Sequence, residues 1–272
     1  MERLLIELIK RQKQLNEAIS ATEELLKGAP EGKLRIDNNK GNAKFFQVLS
    51  KYSSGTYIPQ EERMLADKLA EKGLAEKLLV HAKRELASIN RYISFLKEES
   101  ADHVYRKLSE ERKKLVTPIM LDGDTYASMW ISKPFPKNPQ FPEGLTFKTK
   151  RGDMVRSKSE VFIANVYYEL GIPYKYECPI VLENGSVRYP DFTLLDIARH
   201  RVVYHEHLGL LDDAEYRRAA ILKLREYRQN GIYTGKNLIL TSETAYAPFD
   251  PEQFRRRIRD SFQVELLKQV RK

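Results

Sequence analysis

The stretch Val187-Arg188-Tyr189-Pro190-Asp191-Phe192-Thr193-Leu194-Leu195-Asp196, then Ile197-Ala198-Arg199-His200, then Arg201-Val202-Val203-Tyr204-His205-Glu206-His207-Leu208-Gly209, decides how this chain is read. Two runs rich in β-branched, aromatic and apolar residues flank a short break, the pattern of a hairpin with strands over 187–196 and 201–208. With the loop centred between Ala198 and Arg199, residues whose numbers sum to 397 face each other, and Asp191 and Glu206 are such a pair. Directly opposed residues have Cβ atoms about 5 Å apart, which lets two carboxylates share one hard divalent cation. Without a cation they repel, and one pKa rises. A loop of two or four residues keeps this register, and an odd-length loop shifts it.

Outward from the hairpin, helix and strand patterns alternate. Ser157-Lys158-Ser159-Glu160 leads into an apolar helix through Val161, Ala164, Tyr167 and Leu170, closed by Gly171. Leu145–Thr149 and Lys150–Asp153 suggest a hairpin before it, and Tyr174–Glu177 a strand after it. A helix over 213–230 ends at Asn230-Gly231, and Asn237–Thr241 is a further strand. This order suits an α/β (α+β) fold, a mixed sheet flanked by helices.

The amino-terminal part is helical. Leu4, Leu5, Leu8, Ile9, Leu15, Ile19, Leu25 and Leu26 recur at three- and four-residue steps over 1–27. A β-hairpin follows over 33–48 around the turn-rich Asp37–Gly41, and helical periodicity returns from Pro59 to Glu99 with a break at Gly73. A further helix covers about 102–115. Prolines 118, 134, 136, 139 and 142 then mark a connection anchored by Trp130. The expected organisation is a helical, coiled-coil-like arm over 1–118, a Pro-rich connection over 119–149 and a second domain over 150–272. The arm suits homo-oligomerisation through its helices. The alternative is a nucleic-acid grip through Lys10, Arg11, Lys13 and Arg112-Lys113-Lys114.

The 272 residues carry 47 Lys+Arg against 38 Asp+Glu, a formal charge of +9. Residues 1–120 hold 23 basic and 18 acidic groups, residues 121–250 hold 17 of each, and residues 251–272 hold 7 against 3. The excess at the two ends argues for a polyanionic partner. The lone Cys178, with no CxxC or Cys/His spacing, excludes a disulfide framework and a structural zinc site, and points to a reducing, cytoplasmic setting. No apolar run approaches 18 residues, so neither a membrane span nor a signal peptide is expected.

Ser157-Lys158-Ser159-Glu160, Pro190-Asp191-Phe192, Tyr204-His205-Glu206-His207-Leu208-Gly209 and Asn230-Gly231-Ile232 with Gly235-Lys236-Asn237-Leu238-Ile239 together resemble the PD-(D/E)XK nuclease superfamily. The nearest likeness is to its bacterial and phage members with an SKSE…PDF…EHLG pattern. The resemblance covers about residues 150–245. It implies a restriction-endonuclease-like core that hydrolyses phosphodiester bonds with Mg²⁺ or Mn²⁺, DNA being favoured over RNA, in a defence, repair or mobile-element setting. Asp191 and Glu206 match the two metal-binding acids, and Glu160 the helix glutamate that supports them. The departure is Leu208, which stands where the strand lysine belongs.

Some members of the superfamily supply this lysine from the next helix. At 100° per residue, Tyr216, Ala220, Lys223 and Tyr227 share the less polar face of the 213–230 helix, so Lys223 is the first candidate and Lys158 the second. Arg217, Arg218, Arg225 and Arg228 lie on the other side. Blander readings stand beside each residue: Ser157 and Glu160 as a capping box, Pro190-Asp191 as a turn, and Lys223 laying its stem over apolar neighbours. His205 and His207 share a strand face. They are read as supporting or phosphate-facing groups, with zinc or copper binding as the rival. Glu177 either assists the site or pairs with a neighbour. Arg255, Arg256 and Arg259 form a basic helix face suited to backbone phosphates. Because of Leu208, a nuclease fold without turnover, acting as a nucleic-acid-binding or protein-interaction scaffold, is the competing function. A third reading has the nuclease act only in complex with a protein partner held by the arm.

Overall fold

The computed structural model describes residues 1–39 and 42–271. It divides into two compact units, residues 4–99 and residues 1–3 with 100–272.

In the first unit, helices α1 (Glu2–Lys27) and α2 (Arg63–Glu98) bury Leu15, Ala82 and Ile89 among Leu8, Ile19, Leu86 and Ile93. Helix α2 runs unbroken through Gly73. A glycine inside a helix costs only about 1 kcal/mol relative to alanine, too little to interrupt 36 residues. Strands β1 (Lys33–Asn39) and β2 (Asn42–Val48) form the expected hairpin, with Lys33 opposite Val48. Its turn at Lys40-Gly41 lies outside the described residues. An unanticipated third strand, β3 (Thr56–Ile58), pairs with β2, and Ile58, Ala66 and Leu69 pack with Leu34, Phe45 and Leu65. Arg11 pairs with Glu85, Lys10 with Glu7 and Lys13 with Glu17, so these three of the six basic residues of the expected grip are engaged with acids of their own unit.

The second unit begins earlier than the boundary expected near 118. Where one helix was expected over 102–115, a 3-10 turn (Ala101–His103) and a single turn, α3 (Glu110–Lys113), stand instead. The hydroxyls of Ser100 and Ser109 accept from the N–H groups of Asp102 and Arg112, starting two separate turns in place of one continuous helix. The Pro-rich connection is not a linker. It carries α4 (Gly123–Ser132), capped by Asp122, whose Ala127 packs with Tyr126 and Trp130 against Leu195 and Ile197.

Strands β4 (Phe147–Lys148) and β5 (Met154–Val155) form the small expected hairpin. It is followed by α5 (Lys158–Leu170), which Gly171 closes at φ +70°. Next come β6 (Tyr174–Tyr176), β7 (Ile180–Val181), β8 (Val187–Arg188), β9 (Phe192–Asp196), β10 (Arg201–Leu208), α6 (Ala214–Gln229), β11 (Leu238–Ser242), α7 (Pro251–Ser261) and α8 (Val264–Arg271). The main sheet has the order β11-β10-β9-β6, with β10 and β11 parallel and the other pairs antiparallel. The protein is thus a mixed α/β fold. Helices α5 and α7 cover one sheet face through Ile163, Tyr167, Phe254 and Ile258, and α6 covers the other through Tyr227 and Leu224. Among the described residues no helix is long and apolar enough to cross a membrane.

The β9–β10 register runs from Asp196↔Arg201 to Phe192↔His205, the pairing expected for a four-residue loop. That loop is a 3-10 turn, Ile197–Arg199, closed by left-handed His200. The first strand is shorter than the expected 187–196, because Val187 and Arg188 pair with β7 in a separate hairpin. Pro190 has no N–H to give the ladder, and the pairing with β10 stops at Phe192, one residue short of Asp191 and Glu206.

Candidate active site

Alternation along β10 sends His205 toward α5 and α7 and Glu206 toward α6. Glu206 is buried, and both of its oxygens are engaged by α6: Lys223 Nζ donates to Oε2 at 2.7 Å and Tyr227 Oη to Oε1 at 2.8 Å. Lys223 and Tyr227 are one helical turn apart, so the face that buries Tyr227 also points Lys223 at the sheet. Lys223 Nζ lies 3.5 Å from the Tyr189 carbonyl as well. Burial pushes the Glu206 carboxyl above its usual range, and Lys223 and Tyr227 oppose that rise. Replacing Tyr227 by Phe removes a hydrogen bond to a charged group, so chemical denaturation of Tyr227→Phe is expected to show a loss of about 1.5–3 kcal/mol.

Asp191 sits just before β9. Its Oδ2 accepts from the His207 backbone N–H at 2.6 Å, and its carbonyl accepts from the Glu177 N–H at 3.0 Å. Main chain from both neighbouring strands therefore fixes it. Burial raises its carboxyl well above the ordinary value, the negative charges of Glu206 and Glu160 add to this, and Lys223 opposes it.

Glu160 arrives from the first turn of α5. Ser157 Oγ accepts from the Glu160 N–H at 3.2 Å, which is half of a capping box. The reciprocal half is not made to Ser157. Glu160 Oε2 instead accepts from the Arg156 N–H and from Tyr176 Oη, each at 2.8 Å. The chain thus brings Glu160, Asp191, Glu206 and Lys223 into one electrostatically coupled cluster. Among the described residues no group of three or more His, Cys, Asp and Glu side chains is placed so that it could hold a metal ion.

The remaining candidates lie elsewhere. Lys158 is exposed on α5 with no ion pair among the described residues. His205 is not phosphate-facing. It is fully buried between Phe192 and Phe254, with Nδ1 2.7 Å from Tyr167 Oη and Nε2 2.8 Å from Thr241 Oγ1. Burial drives its pKa well below the ordinary value, so it is neutral. His207 Nδ1 meets the same threonine hydroxyl at 2.9 Å, so the two rings flank one Oγ1 with no zinc or copper arrangement between them. His200, the histidine nearest to them in sequence, stacks on Tyr126. On α7, which packs against α5, Arg255 pairs with Glu169 and Glu252, and Arg259 approaches Glu265. Only Arg256 of those three arginines lacks an ion pair among the described residues.

No family model matches the chain. No solved structure matches it. An 85-residue stretch is 39% identical to the uncharacterized protein MJ1519 of Methanocaldococcus jannaschii, covering 30% of this chain and 7% of that protein. The chain therefore matches only a small fraction of that relative's length.

Of the coupled residues, Asp191 and Lys223 line a cleft of about 480 Å³, with Arg156, Arg188 and Phe141 along its walls. Both arginines are held by acids. Arg156 bonds both oxygens of Glu177, at 2.7 and 3.1 Å, and Arg188 both oxygens of Glu226, at 2.8 and 3.0 Å. Sequence reasoning missed Tyr176, Tyr227 and Arg156 as partners of the carboxylates. For Tyr227 a signal existed, its i+4 position from Lys223 on the less polar face. For Arg156 and Tyr176 no local pattern pointed to Glu177 or Glu160.

Proposed function

We propose that this cleft hydrolyses phosphodiester bonds of DNA with Mg²⁺ or Mn²⁺, in the manner of the PD-(D/E)XK nucleases that the sequence resembles. The observation that carries the reading is the 2.7 Å contact between Lys223 Nζ and Glu206 Oε2: an α6 lysine stands beside the strand acid although Leu208 holds the usual lysine position. The acids match the ion in donor type. All the acids offer carboxylate oxygens, the ligands hard cations take, and burial with mutual repulsion disfavours their ionised forms until positive charge is added. Asp191 and Glu206 would hold the cation, with Glu160 supporting them. Such an ion, when bound, lowers the pKa of a water and neutralises charge on the phosphate.

The chain's own groups set the rest. The His207 N–H fixes Asp191, Tyr227 fixes Glu206, and Lys223 places a positive charge where negative charge grows on the scissile phosphate. Residues 4–99 serve as an oligomerisation or partner-binding arm. The test is a divalent titration of the full chain, read by thermal melting alongside cleavage assays on DNA and RNA. Saturable stabilisation is expected, about 2.7 kcal/mol at a hundred times Kd, together with Mg²⁺- or Mn²⁺-dependent cutting. Absence of cutting with either metal sinks the reading.

The full engagement of both Glu206 oxygens by Lys223 and Tyr227 favours a second reading, an inert nucleic-acid-binding or protein-interaction scaffold. That protein would bind its partner with no divalent-dependent stabilisation.

A further inference from the structure

Phe141 is 72% exposed, yet its backbone is left-handed, with φ +50° and ψ +56°. For a bulky residue this conformation costs of order 1–3 kcal/mol and persists only where the surroundings impose it. Here they do. Arg156 donates to the carbonyls of both Gln140 and Phe141, and the same guanidinium is clamped by Glu177, itself left-handed at φ +45°. One arginine thus ties two strained residues together at the wall of the cleft that Asp191 and Lys223 line. The Phe141 backbone is fixed by these bonds while its side chain buries little, so packing does not account for it. The cleft, at about 480 Å³, falls within the size range of small-ligand sites, and exposed Leu222 also lines it.

We infer that Phe141 is a stacking platform for an unpaired nucleobase next to the scissile phosphate, so that the cleft takes single-stranded or frayed DNA rather than a continuous duplex. This rests on the nuclease reading and names its substrate class. Every base offers a π-face to such a ring whatever the sequence. In an intact duplex each base is already stacked on its neighbours, and Phe141 has no free face to take.

The test is binding of the full chain, in EDTA, to a short single strand carrying 2-aminopurine, to the blunt duplex of the same sequence, and to that duplex with unpaired ends. The single strand and the frayed duplex are expected to bind more tightly than the blunt duplex, with 2-aminopurine fluorescence quenched on binding. Phe141→Leu should weaken single-strand binding about tenfold and abolish the quench, leave blunt-duplex binding unchanged, and be matched to the parent by Phe141→Tyr. Phe141→Leu removes little packing at this exposed site, and its melting curve checks the fold. Equal affinity for the single strand and the blunt duplex, unchanged binding in Phe141→Leu, or no binding to any of the three overturns the inference. A protein that binds as expected but never cuts overturns the nuclease reading alone. One that cuts with no preference for unpaired DNA overturns only the role of Phe141.

Discussion

In Asp191→Asn protein, divalent-dependent cleavage should fall by about 10³-fold or more while the metal-free protein melts at a higher temperature than its parent. On the proposed nuclease reading, the first effect follows from losing a ligand to an ion worth several kcal/mol of transition-state stabilisation, at 1.36 kcal/mol per tenfold. The second follows from linkage. Burial and the charges of Glu206 and Glu160 raise the folded Asp191 pKa above its unfolded value. Between those two values the unfolded chain binds fewer protons than the folded one, so stability falls as pH rises through this window and the penalty is full above it. Asparagine has no such penalty, and its Oδ1 can still accept from the His207 N–H. Each kcal/mol released raises Tm by about 2–4 °C for a chain of this size. The difference should vanish at a pH below the ordinary aspartate value, and equal melting of the two proteins at pH 4 and pH 7.5 would count against a strained carboxylate.

Lys223→Met should cost stability and activity together. Removing Lys223 leaves the buried Glu206 with Tyr227 as its only side-chain partner among the described residues. Breaking a buried pair costs about 3–5 kcal/mol. Because the Lys223 side chain is 30% exposed and that of Glu206 only 4%, about 2–3 kcal/mol is the appropriate scale at neutral pH. The sign of the pH dependence is fixed. The folded Glu206 pKa is already raised and rises further on losing its main opposing charge, so the loss grows as pH climbs above the parent's raised folded value and shrinks below it. Glu206→Gln in the Lys223→Met background should recover most of the stability in denaturant titrations but none of the cleavage. A loss independent of pH would assign Lys223 a packing role.

The site was legible in the sequence where local rules act alone. The β9–β10 register depends on loop length, and Lys223 on helical phase, so both could be placed from numbering. What local rules could not supply is which sheet face each helix covers. His205 and His207 share a face by alternation, but only the packing of Tyr167 and Phe254 shows it to be the core. The same limit explains α4, hidden among prolines until Ala127 and Trp130 meet Leu195 and Ile197. It also explains the Arg156–Glu177 clamp, whose members are 21 residues apart. Gly73 shows the opposite error, where a residue type was given more weight than its small energetic cost.

The four residues Ile197–His200 constrain how this chain can evolve. Loss or gain of one codon there would slip β10 by one residue against β9 and exchange the faces of its side chains. Glu206 would turn toward Tyr167 and Phe254, and the histidines toward Lys223. Substitutions in this turn alter only its stability, whereas a change in its length by one inverts the chemistry of the strand that follows. Among descendants of this sequence, the turn should therefore vary in composition while its length changes only in steps of two.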